Sequence, residues 1–116
     1  MEREVVQTQI FSGLLDEAVY KKELTGRVFE DFEVELVRNP RLGNVIPGLD
    51  GLRKIRLKGS QMGKRGGFRV IYLDIPEIER LYLILIYPKS FKEDLSSEEK
   101  RQLKKMVKKL KEDCLS

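Results

Sequence analysis

The sequence of 116 residues contains no histidine and a single cysteine, Cys114. Without histidine, neither a Ser-His nor a Cys-His nucleophile pair can form, and the commonest zinc ligand is missing. One cysteine forms no internal disulfide, which is typical of a protein from the reducing cytoplasm. We therefore expect a cytoplasmic protein without metal or cofactor, whose chemistry depends on Lys, Arg, Tyr, Asp or Glu side chains.

Long apolar runs are also missing. No stretch of about 18 apolar residues is present, so we expect neither a membrane span nor a membrane partner. The first residues, MEREVVQTQ, lack the apolar core of a signal peptide. The length predicts one domain over residues 1–116.

Acidic residues are absent from the middle of the chain. Residues 51–73 carry seven basic side chains and no acidic one. Residues 1–50 carry six basic and ten acidic side chains, and residues 74–116 carry ten basic and nine acidic ones. The net charge of +4 is therefore concentrated in one stretch. Such a patch is typical of a protein that binds nucleic acid or another polyanion, and a solvated lysine-rich surface is the alternative.

Hydrophobic periodicity and turn residues predict a strand, two helices, three strands and a last helix. We predict strands over residues 4–9, 52–58, 67–75 and 79–87, and helices over 10–22, 25–38 and 96–113. The first strand should lie at a sheet edge. The last strand should be interior, because it is apolar on both faces. The lysines of the last helix lie mostly off its apolar stripe, so we expect a solvated face there.

Strand alternation sorts the cations of residues 52–58. Alternation sends Lys54, Arg56 and Lys58 to one side of this strand. The other side carries one cation and two apolar residues: Arg53, Ile55 and Leu57. If the apolar pair faces the core, three cations project together from an open sheet face. Arg69, on the next strand, shares its face with apolar residues, so alternation leaves its direction open.

Other residues are candidates for direct contact with RNA. Lys64 and Arg65, in a predicted loop, are free to move toward a phosphate, which arginine grips through two hydrogen bonds. Tyr87, next to a strand end, offers a ring on which a base could stack, although core packing is equally expected. The predicted RNA-binding set is Arg53, Lys58, Lys64, Arg65 and Tyr87.

Three segments, in order along the chain, resemble the RelE/HigB group of type II toxin–antitoxin toxins: VIPGLDGLRKIRLKG, GKRGGFRVIY and LILIYPKSFKEDLSSEEKRQL. The resemblance implies a RelE-like α+β fold, a small antiparallel sheet with two N-terminal helices packed on it and a C-terminal helix. It also implies a metal-independent endoribonuclease that cuts mRNA in the ribosomal A site, with contacts to ribosomal RNA. A cognate antitoxin, often a helix-turn-helix protein in HigB-type systems, would neutralise it.

Carried over by motif, the resemblance assigns catalysis to four residues: Lys54, Arg56, Arg69 and Lys89. The RNA 2′-hydroxyl would act as nucleophile. Lys54 is the candidate base, because like charges disfavour protonation. Arg56 and Arg69 would hold the phosphate, and Lys89 or Tyr87 would serve the leaving group. This sequence has Ser90 where RelE often has a further arginine, and it has no clear catalytic tyrosine after Phe91.

Other functions use the same residues. A non-catalytic RNA-binding or ribosome-binding module needs the basic patch but no base. A ParE-like inhibitor of DNA gyrase would act by protein contact, and the basic strand pair argues against it. Structural charge with no polyanion partner is the last alternative.

Overall fold

The computed structural model describes residues 3–58, 67–92 and 94–115. The strands are β1 (Glu4–Gln7), β2 (Asn44–Val45), β3 (Arg53–Leu57), β4 (Phe68–Ile75) and β5 (Arg80–Pro88). The helices are α1 (Gln9–Tyr20), α2 (Gly26–Arg38) and α3 (Ser97–Leu115), and a 3₁₀ turn, Pro76–Ile78, joins β4 to β5. None of the helices in this part of the chain is long and apolar enough to cross a membrane.

The strands form one sheet in the order β1-β5-β4-β3-β2. Each strand pairs antiparallel with its neighbour, except that β1 runs parallel to β5. The predicted α+β fold is thus confirmed, with a parallel edge strand as a refinement. The edge position of β1 and the interior position of β5 are also as predicted. The short strand β2 was not predicted, because two residues leave no periodic pattern.

The sheet is covered on both faces. One face packs against α1 and α2 through a cluster centred on Phe11, Phe29, Phe32 and Tyr72. The other face packs against α3 through Ile71, Leu73, Ile84, Leu103 and Val107. The predicted placement of the N-terminal helices and of α3 follows from these two cores.

A β-bulge lies between β4 and β5. Ile71 pairs with Leu85 and Tyr72 with Leu83, which leaves Ile84 as the extra residue. Residues an odd number apart normally face opposite sides of a strand. Because the bulge adds one residue, both Tyr82 and Tyr87 join the core beneath α3. The bulge therefore places Tyr87 on the face where the cations of β3 are expected.

Threonine and serine hydroxyls start the helices. The Oγ1 of Thr25 accepts a hydrogen bond from the Val28 N–H at 3.2 Å and so caps α2. At α3, the Ser96 Oγ accepts from the Glu99 N–H at 3.1 Å. In return, the Glu99 Oε1 accepts from the Ser96 N–H at 2.9 Å, which completes a capping box. This box makes Ser96 the cap of α3, and Glu99 also pairs with Lys92, four residues after the end of β5.

The edge of the sheet that carries β3 is held by a buried tyrosine. The Tyr72 hydroxyl donates to the Pro40 carbonyl and accepts from the Gly43 N–H, both at 2.8 Å. A Cβ at Gly43 would lie 2.9 Å from the Lys54 carbonyl oxygen and from the Tyr72 hydroxyl, so only glycine fits. This close approach sets the position of β3, and with it the position of Lys54.

Candidate functional site

A row of polar side chains crosses three adjacent strands. In the sheet register, Arg56 on β3 pairs with Arg69 on β4, and Arg69 pairs with Tyr87 on β5. Lys54 pairs with Ile71, which packs against α3. Since alternate residues share a face, all four polar residues lie on the α3 side of the sheet. We call Lys54, Arg56, Arg69 and Tyr87 the strand cluster, and it contains three of the four predicted catalytic residues.

Asp94 links the strand cluster to α3. Its Oδ1 lies 3.9 Å from the Lys54 Nζ, and its Oδ2 lies 4.0 Å from the Lys100 Nζ. The Leu95 N–H donates to the Asp94 Oδ1 at 2.8 Å. That hydrogen bond, followed by the charge of Lys100 and with smaller effects of Lys54 and Arg69, lowers the pKa of Asp94. Asp94 therefore stays ionised at neutral pH.

Lys92 covers the ring of Tyr87. Its Nζ lies 4.9 Å from the centroid of that ring and forms an ion pair with Glu99. The hydrogen bond from Lys92, and then the one from the Ser96 N–H, lower the pKa of Glu99. The segment between β5 and α3 is thus tied to the sheet by the Lys54–Asp94 pair and to α3 by the Lys92–Glu99 pair.

Tyr87 and Arg69 each keep a polar atom inside the protein. The Tyr87 hydroxyl and the Arg69 Nε are buried without a hydrogen-bond partner among the described residues. Tyr87 is only 5% exposed. Burial raises the pKa of Tyr87, and the nearby charge of Arg69 opposes the rise. A buried polar group without a partner costs about 1–3 kcal/mol, so two adjacent ones point to a function beyond packing.

The outer end of the strand cluster is bounded by Gly67. Its φ of +133° favours glycine, and a Cβ there would lie 3.4 Å from the Arg56 Nε. The Lys89 N–H donates to the Gly67 carbonyl at 3.1 Å. This bond ties the half-buried Lys89 to the start of β4, which pairs with the end of β3 that carries Arg56.

Of the predicted RNA-binding residues other than Tyr87, the structure turns Arg53 away from the strand cluster. Arg53 faces the other side of β3, and its Nη1 donates to the Gly43 carbonyl at 2.7 Å, so the structure gives it a role in holding the fold. Lys64 and Arg65 lie outside the described residues. Lys58 is exposed just after β3. RNA contact by all four stays a prediction. Because the Tyr87 ring is buried, stacking of a base on it would require Lys92 to move.

The sequence reasoning missed four charged residues around the strand cluster: Lys92, Asp94, Glu99 and Lys100. Together with the three cations of the strand cluster, these residues place more positive than negative side chains in this region, among the residues that the structure describes. The available signal was the Ser96-x-x-Glu99 capping box, which marks the helix start and places its neighbours next to the end of β5. The positive excess suits a phosphate ligand. Across the described ranges, no three His, Cys, Asp or Glu side chains lie close enough together to hold a metal ion.

Comparison with known proteins identifies the fold. No family model matches the sequence. Among solved structures, the chain is similar to the E. coli toxin RelE, determined as a double arginine-to-alanine mutant in the free state. The TM-score is 0.51 at 22% sequence identity, over 80% of this chain and 90% of that chain. The fold is therefore RelE-like, as the sequence resemblance implied, and at this identity the likeness concerns the fold alone.

Proposed function

We propose that the chain is a ribosome-dependent mRNA endoribonuclease toxin, which arrests translation until a cognate antitoxin of the helix-turn-helix type neutralises it. The RelE-like fold and the sequence resemblance to RelE/HigB toxins support this proposal. The single observation that carries it is the cross-strand pairing of Arg56 with Arg69, next to Lys54 and Tyr87.

The paired arginines favour a bound phosphate. Like charges directly opposite each other on neighbouring strands destabilise a sheet. Arg56 and Arg69 occupy such a pair of positions. A phosphate between them would accept charge-assisted hydrogen bonds from both guanidinium groups. The same charges would stabilise the extra negative charge that develops on phosphorus during cleavage.

The chemistry requires no group other than the RNA and these side chains. The ribose 2′-oxygen loses its proton and bonds to phosphorus, and the bond from phosphorus to the 5′-oxygen breaks. The leaving 5′-oxygen takes a proton, so the products end in a 2′,3′-cyclic phosphate and a 5′-hydroxyl. Tyr87, whose pKa is raised by burial, keeps its proton at neutral pH and is a hydrogen donor for the leaving oxygen. Lys89 and Lys92 are the other donors near this end of the strand cluster.

The role of Lys54 as the base carries a condition. The Lys54 Nζ lies 3.9 Å from the Asp94 carboxylate in an ion pair, so it is not free to approach a 2′-hydroxyl. Lys54 therefore acts as the base only if RNA binding separates it from Asp94. The ribosome would position the mRNA, and positioning alone supplies a large part of the rate of such a reaction.

The ion pair between Lys54 and Asp94 also favours a second candidate function. If the pair persists when RNA is bound, the strand cluster holds phosphates without a base. The chain would then be a non-catalytic RNA-binding or ribosome-binding module. Such a module would bind RNA in a salt-dependent manner and leave it intact.

Tightly controlled expression in bacteria tests the proposal. We expect growth arrest with mRNA cut within codons, and we expect Lys54→Ala combined with Arg69→Ala to abolish both effects. The matched control is Arg27→Ala with Arg38→Ala, which removes two exposed cations from α2 on the other face. Arrest that the first pair leaves unchanged rejects the proposal. Arrest with DNA damage and intact mRNA rejects it in favour of gyrase inhibition.

A further inference from the structure

Helix α3 contains a second stretch without acidic residues. Residues 100–111 carry seven cations and no carboxylate. They are Lys100, Arg101, Lys104, Lys105, Lys108, Lys109 and Lys111. Like charges three or four residues apart destabilise a helix, so this arrangement costs stability. The residues of the strand cluster share one face of the sheet, whereas these side chains project from several sides of the helix.

One stripe of α3 is continuous with the strand cluster. Lys100, Lys104, Lys108 and Lys111 follow one another at helical spacing on one side. At the start of the stripe, Lys100 lies 4.0 Å from Asp94, the residue that also contacts Lys54. At its end, the Lys111 Nζ donates to the Asp50 carbonyl at 2.7 Å. The stripe therefore runs along the side of α3 that borders β3 and its preceding connector.

Lys104 and Lys108 lie between these two anchors. Both are exposed, and within the described parts of the chain neither pairs with a carboxylate. From Lys100 to Lys108 the stripe rises about 12 Å along the helix, enough to meet more than one phosphate. The stripe is therefore a line of positive charge that begins next to the strand cluster and extends away from it along α3.

The other exposed lysines of α3 lie on a different side. Lys105 and Lys109 are turned about 100° around the helix from Lys104 and Lys108. They border a shallow cleft with Met106, Leu110 and Asp113. This side has the same residue type, spacing and exposure, but it has no contact with the strand cluster. The chain thus contains its own matched control.

We infer that Lys100, Lys104 and Lys108 form a second RNA-binding surface, which holds phosphates of the RNA strand outside the nucleotides at the strand cluster. This inference rests on the proposed function, because it takes the ligand of the strand cluster to be RNA. A positively charged groove that tracks the backbone is the usual way to bind single-stranded RNA without sequence preference. The continuity through Asp94 assigns this role to the stripe, in place of the solvated face expected from the sequence.

Charge reversal on the two sides of α3 tests the inference on the full chain. The variants are Lys104→Glu with Lys108→Glu, and Lys105→Glu with Lys109→Glu, and circular dichroism verifies that both fold. The probes are labelled single-stranded RNAs of about 3 and about 12 nucleotides. Their riboses carry 2′-O-methyl groups, which prevent attack by the 2′-oxygen, so binding is measured without cleavage.

We expect the first variant to bind the longer RNA at least about tenfold more weakly, with a salt slope reduced by about 1.4 for two lost phosphates. Its affinity for the shorter RNA and all binding by the second variant should stay within about threefold of wild type. An equal loss in both variants overturns the inference in favour of net charge alone. If neither variant loses affinity for the longer RNA, the lysines of α3 form only a solvated face, and the inference is also overturned. If the two variants differ as expected but the wild-type protein cuts no mRNA on ribosomes, the nuclease proposal fails and the RNA-binding surface stands.

Discussion

Residues 51–73 and residues 100–111 each contain seven cations and no carboxylate, yet the strands of the first stretch and the helix of the second build different surfaces. On β3 and β4, alternation and register bring Lys54, Arg56 and Arg69 onto one face, where α3 covers part of them. On α3, the cations point outward over a wide arc, and several lack any carboxylate partner among the described residues. The same composition thus gives convergence on a sheet and dispersion on a helix.

The two surfaces suit two different functions, catalysis and binding of a phosphate backbone. Catalysis requires charges that converge on one reacting group from fixed positions. Binding to a phosphate backbone requires only charge along a path, and it tolerates small displacements. The strand cluster suits the first requirement, and the stripe of Lys100, Lys104 and Lys108 suits the second. Substitutions that keep the charge should therefore distinguish the two regions better than substitutions that remove it.

The largest effect should come from exchanging arginine and lysine. Arg56→Lys with Arg69→Lys keeps the charge but removes the planar fork that holds a phosphate. We expect cleavage of ribosome-bound mRNA to fall about 100-fold. Lys104→Arg with Lys108→Arg should leave the rate within about twofold. Single-turnover cleavage rates are measured for both variants. An equal fall in rate in the two would contradict the division into a catalytic cluster and a phosphate-binding stripe.

A smaller effect should distinguish two buried tyrosines on opposite faces of the sheet. Tyr87→Phe removes a hydroxyl without a described partner, so we expect unchanged or slightly higher stability and cleavage reduced about tenfold. Tyr72→Phe removes two hydrogen bonds and leaves the Gly43 N–H buried, which should cost about 1–3 kcal/mol. Cleavage per folded molecule should not change in that variant. Thermal unfolding and cleavage rates check both, and a fully active Tyr87→Phe protein would remove the hydroxyl from the mechanism.

Local features of the fold were predictable from the sequence. The caps at Thr25 and Ser96 and the alternation of β3 depend on neighbouring residues alone, and the element bounds agree within two residues. The direction of Arg69 was not predictable, because it depends on the pairing of β4 with both neighbours. The bulge at Ile84, which brings Tyr87 onto the α3 face, leaves no periodic signal.

The carboxylates of the site were unpredictable for a similar reason. Asp94 and Glu99 lie about 40 residues beyond Lys54 in the chain, and they reach the strand cluster only because α3 packs on the sheet. Tertiary packing of this kind is not encoded in a short pattern. The acid-free stretch predicted the cations of the site, but it gave no information about Asp94 and Glu99, the carboxylates beside them.

A modest effect should follow from removing the carboxylate between the two regions. Asp94→Asn deletes the negative charge next to Lys54 and Lys100, so affinity for single-stranded RNA should rise about twofold to fivefold. Asp113→Asn, on the far side of α3, makes the same change in net charge and should have little effect. Filter binding at low salt measures both. Weaker binding by Asp94→Asn would mean that Asp94 positions the lysines for RNA.

The smallest effect concerns acid. The lowered pKa values of Asp94 and Glu99 mean that their contribution to stability is complete above the ordinary carboxyl pKa of about 4. It is lost as the pH falls through their lowered folded-state pKa values. We expect the Tm difference between wild type and Asp94→Asn with Glu99→Gln to be present at pH 7 and to shrink in acid. A constant difference would show that these ion pairs do not contribute.

The most direct test of the account is mapping of RNA ends after purified protein acts on mRNA, with and without translating ribosomes. We predict cuts within codons in the A site, with 2′,3′-cyclic phosphate and 5′-hydroxyl ends. Cutting should occur only when ribosomes are present, and it should be absent for Lys54→Ala with Arg69→Ala. Intact mRNA on ribosomes, despite salt-dependent binding by the folded wild-type protein, would contradict catalysis by the strand cluster.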